Sequence, residues 1–308
     1  MQYLNIATHY GLGKDQRELD FVDVNLKNDN LLFIDPRLIE ISNAPLSKKM
    51  QKNIEMFWAE LIKLVRAKDT KGITRILSGM KEPNETKLGY SSNRIKGNSI
   101  SKKLKPKLID AIKNNKAVQS GILSHFADIE LFIEDISSDR ISDITTKIIK
   151  SNLIEFTQEQ CKIHNIPMSN FHQKDIFNRE NLSWENKDVL LPYYLGVPII
   201  FVPKEIVRLE FMANSNINCF YRFAIRNFLI YDKDLIVDIT PTGKDGELQL
   251  KDIKSKYPCS KESLSNWILK YGKLLVDYKS EILNGKIRPL SDFEIMQIVY
   301  QNYNEDVA

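Results

Sequence analysis

The sequence predicts a mixed fold, α/β or α+β, in which a small central sheet is wrapped by helices and the C-terminal third is mainly helical. Short apolar runs bounded by turn-forming residues indicate that the sheet is built from residues 20–35, 128–134 and 188–202. Apolar residues recur at spacings of three and four over residues 47–68, which is typical of a packed helix. Helical patterns also dominate residues 210–308.

Length and composition are those of an ordinary globular protein. The chain has 308 residues, of which 43% are hydrophobic and 27% charged, so it can bury a substantial core. A net charge of +4 is too small to indicate nucleic-acid binding by itself. We expect a single domain over residues 1–308, with a helical C-terminal subdomain over residues 210–308 as a further division.

Cysteine usage and hydropathy point to the cytoplasm. The three cysteines stand far apart without a CxxC pair, which favours reduced thiols and argues against a disulfide framework or a structural zinc site. The N-terminus lacks a signal-peptide pattern, and no apolar run approaches the length of about eighteen residues that a membrane span needs. We therefore expect a cytoplasmic protein without a membrane segment.

The elements follow one another from strand-like to helical patterns. Residues 21–26 and 31–34 look like two short strands, and Asp35 ends the second because a residue before proline is pushed to an extended conformation. Asp35 is expected to cap the next element of the chain, with a role in a site as the alternative. Leu195-Gly196 marks a hairpin. Further helices are expected after Asp69 and over residues 216–231, 247–258, 260–283 and 292–303.

A basic segment interrupts the helical patterns. Residues 82–108 are rich in glycine, serine and asparagine, and residues 94–116 carry eight basic side chains against one acid. Such a loop leading into a basic helix suits a phosphate, although it matches neither the Walker nor the Rossmann pattern. A surface loop with a solvated lysine face is the alternative. The side chains expected to contact phosphate are Arg94, Lys96, Lys102 and Lys103, together with Arg140 from the following segment.

The densest acidic stretch lies beside Arg140. Six carboxylates fall within sixteen residues, namely Asp128, Glu130, Glu134, Asp135, Asp139 and Asp143. The pattern predicts a short strand that ends in a loop, followed by a helix that begins near Ser142. Asp135, Asp139 and Asp143 would then meet where the strand ends and the helix begins. We expect these three to be catalytic and to hold Mg²⁺ or Mn²⁺, since a divalent ion needs oxygen ligands and stabilises the charge that develops when a phosphodiester is attacked.

Two observations limit the metal hypothesis. Carboxylates at a helix start also act as caps and complement the helix dipole, which is the alternative role of Asp139 and Asp143. The paired Asp…Glu-x-Lys pattern of restriction-type nucleases is absent, because Glu247 and Lys251 have the wrong spacing. Of the four histidines only His125, just before the acidic stretch, is a candidate to join a metal set.

Five segments carry a resemblance: LFIDPRLIE (32–40), EPNETKLGYS (82–91), DISSDRISDITTKII (135–149), EFTQEQCKIHNIP (155–167) and VPIIFVPKEIV (197–207). With them the chain resembles a family of bacterial proteins of defence or mobile-element type that has no assigned function. The resemblance covers most of residues 20–257 and implies one architecture and a role against phage or foreign DNA. It transfers no catalytic residue, but the recurrence of residues 82–91 as a block favours Glu85 as a further catalytic carboxylate.

These observations together predict a nucleic-acid-acting bacterial defence protein, in the form of a metal-dependent nuclease. The alternative is a non-catalytic sensor or adaptor that binds nucleic acid or a partner protein from the same operon. A scaffold that contacts only proteins is the third possibility. The sequence does not choose between DNA and RNA and does not indicate an oligomeric state.

Overall fold

A computed structural model describes residues 4–28, 30–81, 83–89, 105–123, 125–132, 138–283 and 287–301. Over these ranges the fold is mixed, with many helices and three small antiparallel sheets, so the predicted fold class is confirmed. Only helices follow residue 208 in the described ranges, in line with the prediction for the C-terminal third. None of the described helices combines the length and the apolar composition that crossing a bilayer requires.

The α-helices of the described chain are α1 (Ile6–His9), α2 (Pro36–Ile41), α3 (Pro45–Arg66), α4 (Thr70–Leu77), α5 (Lys105–Asn114), α6 (Lys116–Ser120), α7 (Ile129–Phe132), α8 (Ser138–Ile148), α9 (Lys150–Ile163), α10 (Glu210–Asn227), α11 (Lys233–Ile236), α12 (Leu250–Lys256), α13 (Lys261–Lys270), α14 (Leu274–Leu283) and α15 (Asp292–Gln301). Buried apolar side chains from α1 through α15 form one continuous core. Each amphipathic helix places its apolar stripe against this core.

The strands are β1 (Phe33–Ile34), β2 (Ser169–Asn178), β3 (Ser183–Leu191), β4 (Tyr193–Tyr194), β5 (Val197–Pro198) and β6 (Val207–Arg208). They form three antiparallel pairs, β1 with β6, β2 with β3, and β4 with β5. The register of the long β2–β3 hairpin shifts between Gln173 and Ile176, where Asp175 adopts a φ of 56°. This bulge bends β2 and redirects its side chains.

The prediction that one central sheet includes residues 128–134 is wrong, because these residues contribute no strand where the structure describes them. A 3-10 turn over Phe126–Asp128 leads directly into α7. Ile129, Leu131 and Phe132 are all buried, whereas a strand would send the last two to opposite faces. Alternation over so few residues does not separate a strand from a short helix.

The other two predicted sheet segments form strands only in part. The chain around Val22 and Leu26 is extended and buried, but its N–H groups donate to the carbonyls of Val202 and Leu4, each at 2.9 Å, without forming a regular ladder. Residues 188–191 pair with β2, a strand that the sequence did not predict. The hairpin at Leu195-Gly196 is confirmed as the β4–β5 turn.

Strand β1 anchors the helices next to it. Asp35 caps α2, as predicted, by accepting a hydrogen bond from the Arg37 N–H at 2.8 Å, and it also pairs with Arg208 Nη1 at 2.6 Å. The N–H of Ile34 donates to the Ser142 hydroxyl at 2.9 Å. Helix α8 begins at Ser138, one turn before the predicted start, and Ser142 lies inside it and attaches it to β1.

Candidate functional site

The predicted site residues fall into two groups. Glu85, Asp139, Arg140 and Asp143 lie in the described ranges, Glu85 in a 3-10 turn over Asn84–Thr86 and the other three in the first half of α8. The remaining predicted site residues lie outside the described residues, namely Asp135, Arg94, Lys96, Lys102 and Lys103.

Three charged residues of α8 share one face of the helix. Asp139, Arg140 and Asp143 are all half-buried. Arg140 and Asp143 are three residues apart, and Lys147 follows Asp143 by four, so the three share one face of the helix. Because the Ser142–Ile34 hydrogen bond attaches α8 to β1, this face keeps a fixed direction.

Lys147 and Lys150 form a buried pair of cations at the junction of α8 and α9. Each is only 3% exposed. The Lys150 ammonium donates to Glu85 Oε1 at 2.6 Å and lies 3.4 Å from the carbonyl oxygen of Lys174 in β2. We call Glu85, Lys147 and Lys150 the lysine–glutamate cluster. It brings a predicted site carboxylate together with two lysines that the sequence reasoning missed.

Three local features assemble this cluster. The 3-10 turn that carries Glu85 is held by a hydrogen bond from the Ile200 N–H to the Glu85 carbonyl, 2.9 Å long. The nearly continuous helical path through Ile149 places Lys150 one turn after Lys147. The bulge in β2 supplies Asp175, whose carboxylate pairs with Lys81 Nζ at 2.7 Å on the outer side.

The electrostatics of Lys147 distinguish it from its neighbours. Burial lowers its pKa to about 8, the charge of Lys150 acts in the same direction, and Glu85 and Asp175 only partly oppose them. Within the described ranges the Lys147 ammonium makes no hydrogen bond and no ion pair. With a pKa near 8 it is still mostly charged at pH 7. The side chain is buried as a whole, but among the described residues its Nζ is not one of the fully enclosed polar atoms without a partner, so the ammonium keeps some contact with solvent and burial removes only part of its hydration.

Glu85 already forms an ion pair with Lys150. Burial alone would raise the pKa of its carboxyl group, but the charge and hydrogen bond of Lys150 outweigh burial and lower it. Two buried lysines thus face one half-buried carboxylate, which leaves an excess of one positive charge in the cluster. An anion placed at Lys147 would restore the balance, and among the anions of a cell phosphate groups are recognised by lysine as a point charge.

A metal site is not formed by the described residues. No group of three histidine, cysteine, aspartate or glutamate side chains converges on one point within the described ranges. Asp139 and Asp143 lie close along α8, and the third predicted ligand, Asp135, lies outside these ranges. Binding of Mg²⁺ or Mn²⁺ therefore stays a prediction from the sequence.

Lys147 and Lys150 could have been suspected from one signal. Lys147 borders the apolar line that Ile141, Ile144 and Ile148 form on α8, although it shares a face with Arg140 and Asp143. A lysine at such a position either extends its ammonium to the surface or is buried for a reason. The partner that decides between the two, Glu85, lies far away in the sequence.

A model of one protein family matches residues 11–214, which is more than half of the chain, and its description is "Domain of unknown function (DUF8370)". The chain therefore belongs to this family. Searches among curated proteins and among solved structures returned no match. The lysine–glutamate cluster lies inside the matched range, whereas α12 to α15 lie beyond it.

Replacing the buried cation by an apolar side chain of similar length should stabilise the fold. The pKa of Lys147 is about 8 in the folded chain against an ordinary value of 10.5, so charging it in the folded state costs about 3 kcal/mol. Lys147→Met is expected to raise the free energy of unfolding at pH 7 by an amount of that order, measured by urea denaturation. Lys162→Met, at an exposed position of α9, should change it by less than about 0.5 kcal/mol.

The pH dependence of the free energy of unfolding provides a second test of the buried lysine. Between pH 8 and about 10.5 the unfolded chain keeps the proton on Lys147 and the folded chain loses it, so the stability of the wild type should rise with pH across this window. Lys147→Met should lack that rise. Parallel pH profiles for the wild type and the variant would contradict the burial of a charged lysine.

Proposed function

We propose that this family member acts on nucleic acid in bacterial defence, as a nuclease that depends on Mg²⁺ or Mn²⁺. The observation that carries the proposal is the excess positive charge of the lysine–glutamate cluster, in which Lys147 is buried without a described acceptor beside the Lys150–Glu85 pair. A phosphodiester is the substrate group that this charge would recognise, because it stays negative throughout the physiological pH range.

Burial makes the proposed contact selective for an anion that enters the site. A lysine on the surface attracts any nearby phosphate weakly, since water screens the charge. The Lys147 side chain is only 3% exposed, so its ammonium carries less hydration than that of a surface lysine, and a phosphate oxygen would supply a counter-charge. The basic segment with Arg94 and Lys96 follows Glu85 in the sequence and is proposed to add outer phosphate contacts.

The face of α8 suggests a division of roles. Lys147 would hold a phosphate at the C-terminal end of this face, beside Lys150 of α9, and Arg140 would contact another towards its N-terminal end. Asp135, Asp139 and Asp143 are proposed to hold the divalent ion there, where it would polarise the scissile phosphodiester and generate the attacking hydroxide. Glu85, paired with Lys150, would fix the position of that lysine.

The second candidate is a non-catalytic sensor or adaptor that binds nucleic acid or a partner protein from the same operon. The same lysine–glutamate cluster favours it, because an excess of buried positive charge accounts for binding without any chemistry. The two candidates differ in turnover. A sensor binds with an affinity that falls steeply with salt and leaves the strand intact with every metal ion.

Binding should weaken when the buried cation is removed. Lys147→Gln is expected to raise the Kd for labelled DNA or RNA oligonucleotides and to lower the slope of log Kd against log salt by about one unit, because one phosphate contact is lost. Fluorescence anisotropy between low and moderate salt measures both quantities. Lys162→Gln serves as the matched control on α9, and an equal effect of both variants would mean that Lys147 is no more than a part of the diffuse surface charge.

Cleavage should depend on the acid one turn before Lys147. Asp143→Ala is expected to abolish cleavage of DNA or RNA in Mg²⁺ or Mn²⁺, while the melting temperature changes little because the side chain is only half-buried. Asp277→Ala, on the exposed side of α14, is the control and should cleave normally. Wild-type protein that binds but never cleaves would support the sensor, and an active Asp143→Ala variant would remove this acid from the mechanism.

A further inference from the structure

A second group of charged side chains joins the family-matched part of the chain to α14. Glu40 Oε1, in α2, lies 3.2 Å from His125 Nδ1 and 3.2 Å from Lys279 Nζ. The Lys279 ammonium also reaches Asp128 Oδ2 at 3.2 Å. We call Glu40, His125, Asp128 and Lys279 the Glu40 network. Three of its members lie within residues 11–214, and Lys279 lies beyond that range.

Two basic side chains of the network compete for one carboxylate oxygen. His125 and Lys279 approach the same oxygen of Glu40, so when His125 is protonated two cations share one acceptor and repel each other. When His125 is neutral, Glu40 and Asp128 together face Lys279 alone. The protonation of one side chain therefore changes how tightly another holds α14.

The surroundings of His125 set the direction of its titration. The hydrogen bond with Glu40 raises the pKa of His125, and the charges of Glu40 and Asp128 raise it further, while burial and the charge of Lys279 act against that rise. Burial would raise the pKa of Glu40, but His125 and Lys279 outweigh it and lower it to about 2, so Glu40 stays ionised. Across the cleft beside His125 stands Glu55 of α3. Arg37 lines the adjoining cleft under Lys279.

We propose that the Glu40 network is a pH-sensitive contact, in which protonation of His125 draws Glu40 away from Lys279 and loosens α14 from α2 and from the 3-10 turn over Phe126–Asp128. Acidification would thus open the junction between the family-matched part and the C-terminal helices. The cleft that would widen is lined by Arg37, Leu131 and Tyr278.

The linkage between proton binding to His125 and the opening of α14 determines the direction in which pH acts. Because the charge of Lys279 opposes protonation of His125 while α14 is docked, the pKa of His125 must be higher once α14 has moved away. The open state then binds more protons than the docked state, so lowering the pH favours opening. The opening equilibrium should change by up to roughly tenfold for each pKa unit gained by His125.

Global unfolding responds in the opposite direction. The pKa of His125 is raised in the folded chain, so its contribution to stability is fully present below the unfolded pKa and is lost as the pH rises through the folded value. The contribution of His125 to the stability of the whole fold therefore grows as the pH falls, whereas its effect on α14 is to loosen the helix. A general acid destabilisation would move both quantities the same way, which separates it from the proposed switch.

The remaining contacts of α14 keep the motion local. Tyr278 packs against Phe220 and Phe223 of α10, with ring centroids 4.7 and 5.4 Å apart. A separate pair between Lys204 and Asp292, 2.8 Å long, holds α15. Loss of the Lys279 contact would thus free one side of α14 and leave the helix attached to its neighbours.

Hydrogen exchange of the full chain tests the proposal. The protection of amides over residues 274–283, corrected for intrinsic rates, is expected to fall several-fold from pH 7.5 to pH 5.5, while that of residues 150–163 does not fall. His125→Gln should abolish the fall. His172→Gln is the matched control, because His172 pairs with Asp188 at 2.8 Å on the β2–β3 hairpin, and it should behave as the wild type.

Lys279→Met provides the second arm and does not depend on the behaviour of the histidine variant. It should lower the protection of α14 already at pH 7.5 and leave little further change at pH 5.5. Wild-type protection of α14 that is unchanged or higher at pH 5.5 would overturn the proposal. An equal fall in wild type and His125→Gln would overturn it as well, because the fall would then come from another group.

Discussion

The buried positive charge at the junction of α8 and α9 is the constraint that shapes the surrounding structure. Both lysine side chains are buried, and the partly exposed carboxylate of Glu85, which pairs with Lys150, neutralises only one of them. Burying a charge without a partner is costly, so a chain keeps such an arrangement where a function depends on it or where a ligand completes it. The short turn around Glu85, the bulge in β2 and the attachment of α8 to β1 all serve to hold these groups in place.

The same helix connects that cluster to the acidic stretch. Helix α8 carries Asp139, Arg140 and Asp143 in its first half and Lys147 near its end, and the Ser142–Ile34 hydrogen bond ties it to β1. Asp35, at the end of β1, caps α2 and pairs with Arg208 of β6. Small strand pairs therefore position α2 and α8, and among the C-terminal helices α14 contacts this frame through the Glu40 network.

Features that depend on neighbours in the sequence could be predicted. The apolar spacing of α3 and the cap at Asp35 are local, and both are found in the structure. Features that depend on distant partners could not. The role of Asp128 could not be predicted because its partner, Lys279, is remote in the chain, and the β2–β3 hairpin was missed because its strands are mostly polar. Glu85 was singled out from a recurring block, but its pairing with Lys150 required the fold.

The central claim is that Lys147 is a buried cation that lacks a counter-charge until a phosphate binds. Its titration by NMR in lysine-labelled protein, assigned with the Lys147→Met variant and recorded with and without a saturating oligonucleotide, tests this claim most directly. We expect a pKa of about 8 in the free protein and a higher value in the complex, because a neighbouring anion favours the charged form. A pKa near the ordinary 10.5 in the free protein, or one that the oligonucleotide leaves unchanged, would contradict it.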